Sequence, residues 1–157
     1  MEKNKKYKNI MVLGFILVFN IAGWYLLNIF LRHKELTYES LRKPWFSISI
    51  KWLFIINVIF YLFLAFSVYF NYVKSEKNMF LYIIFTMIYF LWNYIFFVDK
   101  LYGISFLIML LIILCFIFLG FKFLRYSKIS SFIIFTYVIY LSYMALFNYY
   151  IWMYNEM

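Results

Sequence analysis

Tyr89, Trp92 and Asn93, followed by Phe96, lie three and four residues apart, so on a helix their rings and amide share adjoining stripes of one face. Tyr137, Tyr140, Met144, Phe147 and Asn148 repeat that arrangement near the C-terminus, and Asn57 and Tyr61 stand four apart in an earlier apolar stretch. Aromatic walls bearing a few neutral polar groups suit a flat, largely apolar ligand. The chemistry on offer is therefore stacking and uncharged hydrogen bonding. Proton transfer is not: no Asp, Glu, Lys or Arg occupies the middle of any long apolar window, whereas acid-base catalysis, ion coupling and voltage sensing depend on such groups. His33 is the one histidine and stands between Arg32 and Lys34, a solvated place at a helix end rather than a ligand or base. Cys115 is the one cysteine, so no disulfide and no cysteine metal site can form, and it reads as a small packing residue. There is no Gly-rich phosphate loop. No catalytic residue, metal ligand or obligatory cofactor is expected.

The elements that must carry these faces follow from the charges. Of 157 residues, 68% are hydrophobic and only 13% charged, against about a quarter charged in soluble domains. The charges separate five uncharged windows: Ile10 to Leu31, Trp52 to Val73, Met79 to Val98, Leu101 to Phe121 and Ser131 to Tyr154. Each has about the 20 residues a bilayer crossing needs. Within lipid the backbone must satisfy its own hydrogen bonds, which makes such windows helices. The first window is too long for the apolar region of a cleaved signal peptide and is read as retained. The expected fold is one all-α integral membrane domain, residues 1–157, with five transmembrane helices and a lid-like loop between the first two.

The net charge of +9 is spread over helix ends rather than clustered on a folded face, which excludes a nucleic-acid partner and points to lipid headgroups. With five spans, nine Lys and Arg (Lys3, Lys5, Lys6, Lys8, Lys74, Lys77, Lys122, Arg125 and Lys128) fall on the N-terminal side. Six (Arg32, Lys34, Arg42, Lys43, Lys51 and Lys100) fall on the other. The positive-inside rule then places the N-terminus in the cytoplasm. Trp52, Tyr72, Tyr102, Tyr126, Trp152 and Tyr154 lie near span ends and are expected in the interfacial aromatic belts. Asn57, Tyr89, Trp92, Asn93 and Tyr140 lie too deep for that. The one long connection, Arg32 to Lys51, holds the only proline, and Pro44 makes a rigid elbow of it.

Three motifs in order carry a resemblance to a known family. The loop reads Tyr38-Glu39-Ser40-Leu41-Arg42-Lys43-Pro44, the third window Phe90-Leu91-Trp92-Asn93-Tyr94-Ile95-Phe96-Phe97, and the C-terminus Asn148-Tyr149-Tyr150-Ile151-Trp152 with Asn155. These resemble the TspO/MBR family signatures W-Y-x-x-L-x-K-P-x-W, N-F-L-W-S-P-I-F-F and N-Y-Y-I-W-x-x-N, and Tyr61 and Ala65 fall where its second helix has a tyrosine and a small residue. The resemblance implies five helices closed by the first loop over a pocket for porphyrins, with sterols or isoquinoline-type ligands in some members, and an association with tetrapyrrole and stress regulation. The chain departs from the family at Asn57 and Tyr140, where tryptophans line the pocket, and at Tyr89, where the family has asparagine. Ile48, Ser49, Tyr94 and Thr136 replace prolines, so straighter helices are expected. Met144 replaces a small ligand-facing residue, and Met153 breaks the cholesterol pattern.

The site expected from residues and resemblance together comprises Tyr38, Asn57, Tyr61, Tyr89, Trp92, Asn93, Tyr140 and Met144. Trp92 would stack on the ligand, Asn57 and Tyr89 would donate hydrogen bonds, and Tyr38 would act from the lid. The ligand class is a tetrapyrrole, a porphyrin, or another flat apolar molecule, in a sensory, regulatory or transport role. Two alternatives remain: porphyrin breakdown, weakened by the loss of one redox-capable ring at Asn57, and a structural member without a pocket. The other partner is the bilayer; a homodimer is allowed, although no Gly-x-x-x-Gly seam specifies one.

Overall fold

The computed structural model describes residues 2–30, 34–74 and 78–157. Those residues contain no strand. The helices are α1 (Glu2–Phe30), α2 (Lys34–Ser40), α3 (Ile50–Tyr72), α4 (Met79–Tyr94), α5 (Tyr102–Leu124) and α6 (Lys128–Asn155), and a π-helical turn, Ile95–Asp99, continues α4. Four of them, α3, α4 with its π turn, α5 and α6, are long and apolar enough to cross a bilayer, while α1 contains a shorter apolar stretch, Ile10–Gly23. As a helix that stretch rises about 21 Å, against about 30 Å of hydrocarbon. The expected end of the first span at Leu31, together with Arg32, His33 and Lys77, lies outside the described residues, as does the side chain of Asn28.

Local chemistry sets the helix ends. Ser127 caps α6 by accepting a hydrogen bond from the Ser130 N–H at 3.3 Å. The corner expected at Asp99 and Lys100 is present: Lys100 takes a left-handed φ of 57°, and Leu101 N–H reaches back to the Ile95 carbonyl at 3.3 Å. Tyr94, where no proline interrupts the chain, continues the helix without a break. The π turn begins one residue later without any proline, and it turns Phe96 into the core against Trp92 and Tyr102.

Consecutive helices pack antiparallel, from α5 and α6, the most extensively paired, outward to α3 and α4, with α1 against α3 and parallel to α4. Ser131 Oγ donates to the Gly120 carbonyl at 2.9 Å near one end of the α5–α6 pair, and Gly103 N–H donates to Glu156 Oε2 at 2.8 Å near the other. Glycine permits two close approaches. A Cβ on Gly103 would meet Trp152 Nε1 at 2.8 Å, and one on Gly23 would meet the Phe90 ring at 2.2 Å, so a side chain at residue 23 would force the Phe90 ring out of its place against α1.

The aromatic belt is narrower than the sequence suggests. Trp52, Tyr126 and Tyr154 are exposed, but Tyr72 and Tyr102 are buried and Trp152 is half-buried. Tyr102 turns inward because its ring meets Phe96 edge-on at 5.2 Å, and Trp152 lies along Phe106 at 6.1 Å.

Candidate functional site

The interior faces of α4 with its π turn and of α6 recur at three- and four-residue spacing, Tyr82, Thr86, Tyr89, Trp92 and Phe96 on one, Tyr137, Leu141, Met144, Asn148 and Ile151 on the other, and all are buried. Between them and α3 lies a continuous aromatic cluster. Tyr89 stacks on Trp92 with ring centroids 5.6 Å apart and meets Tyr61 and Tyr137, each at 6.4 Å. Tyr140 stacks on Phe60 at 4.8 Å and lies 6.1 Å from Tyr137. Tyr61, Tyr89, Trp92, Tyr140 and Met144 thus all belong to one core. Asn93 does not join them; it is half-buried, and its Nδ2 donates to the Tyr89 carbonyl one turn back at 2.9 Å.

Hydrogen bonds between helices account for several of the polar groups. The Tyr89 hydroxyl donates to Asn57 Oδ1 at 2.8 Å, and Asn57 Nδ2 donates to the Leu53 carbonyl at 2.9 Å. Both expected donors are therefore engaged inside the protein, and the Tyr89 oxygen keeps acceptor capacity only. Asn20, which the sequence did not single out for the site, joins three helices: its Nδ2 donates to the Tyr61 carbonyl at 3.1 Å and its Oδ1 accepts from the Tyr82 hydroxyl at 2.8 Å. Asparagine inside an apolar span was the only signal, and it does not identify the partner.

Other buried groups have no partner: Trp92 Nε1, Tyr140 Oη, Thr86 Oγ1, Ser105 Oγ and both amide atoms of Asn148. The Tyr140 hydroxyl sits beside Asn57 but outside hydrogen-bonding geometry. Buried polar atoms are rarely left unpaired, and each costs about 1–3 kcal/mol.

The connection between α1 and α3, made of α2 and the loop after it, packs on the same core through Tyr38, Leu41, Phe46 and Ile48. Tyr38 is buried, its ring stacks on Phe147 at 5.8 Å, and its hydroxyl donates to the Ile48 carbonyl across the loop. Burial, with Tyr143 adding to it, pushes the Tyr38 phenol up to about 12. Lys43 Nζ donates to the Tyr38 carbonyl at 3.1 Å and lies 4.8 Å from the centre of its ring. Pro44 accepts from Ser47 N–H at 3.0 Å, closing a turn at the elbow. Two clasps hold the loop to α6: Tyr143 Oη donates to the Phe46 carbonyl at 3.2 Å, and Asn155 engages both backbone groups of Arg42 at 2.8 and 3.0 Å.

The buried polar side chains among the described residues are Asn, Ser and Thr, and no group of metal-ligating side chains occurs among those residues. Such a site can stack and exchange neutral hydrogen bonds. A separate cavity of about 340 Å³ lies between α1 and α3, lined by Leu17, Asn20, Ile21, Phe54, Val58, Tyr61 and Leu62. It shares only Tyr61 with the residues expected from sequence.

Comparison with protein families gives a match to the TspO/MBR family over residues 15–153. No curated protein matches the chain.

Proposed function

Since this chain belongs to the TspO/MBR family, we propose that it is a five-span membrane protein that binds a flat apolar ligand, a porphyrin-type tetrapyrrole, beneath the loop between its first two spans. The observation that carries this reading is the aromatic cluster of Tyr61, Tyr89, Trp92, Tyr137 and Tyr140, whose end is closed by a loop clasped to α6 through Arg42 and Asn155. Stacking faces supply affinity, neutral polar groups set orientation, and the loop excludes lipid and water.

In this reading α1 is the fifth crossing. Its apolar stretch is short, but Asn20 anchors it to α3 and α4, and a polar side chain paired between helices suits a span packed in a bundle better than one lying on the membrane surface. The N-terminus is cytoplasmic, by the excess of Lys and Arg on that side. The role is sensory, regulatory or transporting rather than enzymatic, and the loop is a lid. Protoporphyrin added to the purified protein in detergent should shift its main absorption band saturably, and Trp92→Phe should weaken the binding. A shift no larger than in empty micelles would overturn the reading.

A second reading, a member without a pocket, draws on the complete burial of the site's large side chains, Met144 and Trp92 among them. It predicts that the natural protein ignores tetrapyrroles while Met144→Ala opens a cavity that takes them.

A further inference from the structure

The fully buried amide of Asn148 has no partner for its Nδ2 or its Oδ1, and the hydroxyl of Ser105, also fully buried, has none either. Helix register brings the two together. Phe116 of α5 meets Tyr137 of α6 edge-on, with centroids 5.0 Å apart. Counting back along α5 from 116 to 105, and on along antiparallel α6 from 137 to 148, takes the same number of residues, about three full turns. Ser105 and Asn148 therefore occupy matching positions along the two helices, without a hydrogen bond between them, and the Phe106–Tyr149 contact at 5.5 Å holds the register at their level.

The third helix of this corner follows the same logic. Phe85 of α4 lies 6.3 Å from Phe116, so two turns further on Trp92 stands opposite Met109, one turn from Ser105. Its indole N–H is also unpartnered. Trp92, Phe96 and Tyr102 form a continuous run of rings from α4 to the first turn of α5, three residues before Ser105, at 5.4 and 5.2 Å between successive rings. Phe147, next to Asn148, is the residue on which the Tyr38 ring of the loop rests. In the ligand-binding reading above, lifting the loop from Phe147 is the route by which a ligand would reach this corner.

No charged side chain is buried among the described residues of this corner. Lys100 and Glu156, at the ends of the neighbouring helices, are exposed, and Glu156 is engaged by Gly103 N–H. An ionised group taken in here would be uncompensated, whereas an amide side chain offers a donor and an acceptor side by side. We propose that Asn148 and Ser105, with the Trp92 indole, form a socket for the neutral polar edge of the ligand, a group that itself presents donor and acceptor together, such as a lactam, a primary amide or an un-ionised carboxylic acid. The socket rests on the ligand-binding reading above and specifies which edge of the ligand leads.

The test compares two derivatives of one macrocycle, the diamide and the dimethyl ester of protoporphyrin IX, on the full chain in detergent. The natural protein should bind the diamide at least tenfold more tightly, since the ester cannot donate. Asn148→Leu should bring that ratio close to one while retaining ester binding, and Ser105→Ala should lower it severalfold. Asn148→Leu should melt no lower than the natural protein, because the amide it removes has no partner to lose; an unfolded Asn148→Leu leaves Ser105→Ala to decide. An unchanged ratio in the variants, or no preference in the natural protein, would overturn the socket, and no preference together with a lower-melting Asn148→Leu would identify a site for internal water only. If neither macrocycle binds, the tetrapyrrole reading fails, and 2-naphthamide against methyl 2-naphthoate decides the socket alone. Thermal stabilisation by the amide that Asn148→Leu abolishes supports it; equal or no stabilisation overturns it.

Discussion

Asn155, in the last turn of α6, holds both backbone polar groups of Arg42: its Oδ1 accepts from the Arg42 N–H at 2.8 Å and its Nδ2 donates to the Arg42 carbonyl at 3.0 Å. The amide thus mimics a strand neighbour for a loop that has none. The same Nδ2 also donates to the Ile151 carbonyl at 2.9 Å, which fixes its direction. Asn155→Ala should free the loop while leaving the helices formed. Trypsin reports this directly, because the Arg42–Lys43 bond is cleavable whereas Lys43 is followed by Pro44. Cleavage after Arg42 should accelerate by about tenfold, the equivalent of about 1.4 kcal/mol of lost closure.

The Tyr89–Asn57 bond joins α4 to α3 inside the site. Tyr89→Phe strips the acceptor Asn57 Oδ1 of its donor and should cost about 1–3 kcal/mol. Tyr89→Phe combined with Asn57→Leu should cost less than the two single changes summed, because the double variant removes both partners of the bond together. Thermal melts of the four proteins in one detergent measure the coupling.

Asn20 should be the most sensitive polar residue of α1. Asn20→Leu leaves the buried Tyr82 hydroxyl without an acceptor and removes the bond to the Tyr61 carbonyl. A loss of about 1–3 kcal/mol is expected, with accelerated hydrogen exchange in α1 before α5 or α6. Equal acceleration in all helices would argue against α1 being the most separable element.

Tyr38 gives the loop a pH limit. Its folded pKa, pushed up to about 12 by burial, stands above the ordinary value of 10.0. The neutral phenol is thus the form the closed loop favours, and its contribution is complete below pH 10 and lost as pH rises through 12. Alkaline titration followed by tyrosinate absorbance should show, in the difference between the natural protein and Tyr38→Phe, one phenol ionising near 12 rather than near 10.

Much of this architecture is legible in the sequence because charge marks the ends of apolar helices. Lys51, Lys74, Asp99 with Lys100, and Lys128 bracket α3 to α6 to within a few residues of the bounds drawn from composition. The first helix is less legible: polar residues such as Asn20 dilute its apolar stretch, although Asn20 is what ties it to the bundle. The π turn at Ile95–Asp99 has no proline or glycine to announce it. Within the site, helical spacing brought Tyr89, Trp92, Tyr140 and Met144 onto inward faces, but not the pairing of donors and acceptors. Tyr82 meets Asn20 across 62 residues of chain, and no periodicity encodes that meeting. Asn93 illustrates the limit in reverse, since an amide one residue from Trp92 bonds its own helix instead.

Met144 fills interior space that a smaller residue would leave open. Met144→Ala should destabilise the protein by about 2–5 kcal/mol through cavity formation. It should also raise the affinity for protoporphyrin, a combination of weaker fold and tighter binding that distinguishes a site residue from ordinary core.

The central claim, a flat ligand held against Trp92 beneath the loop, is tested most directly by a variant in which Trp92 is the only tryptophan, with Trp24, Trp45, Trp52 and Trp152 changed to phenylalanine. Titrated with protoporphyrin in detergent, its emission should be quenched saturably at one ligand per chain. A folded Trp92-only protein with no saturable quenching, alongside a Trp45-only protein that shows it, would place the ligand at the membrane surface and contradict the account.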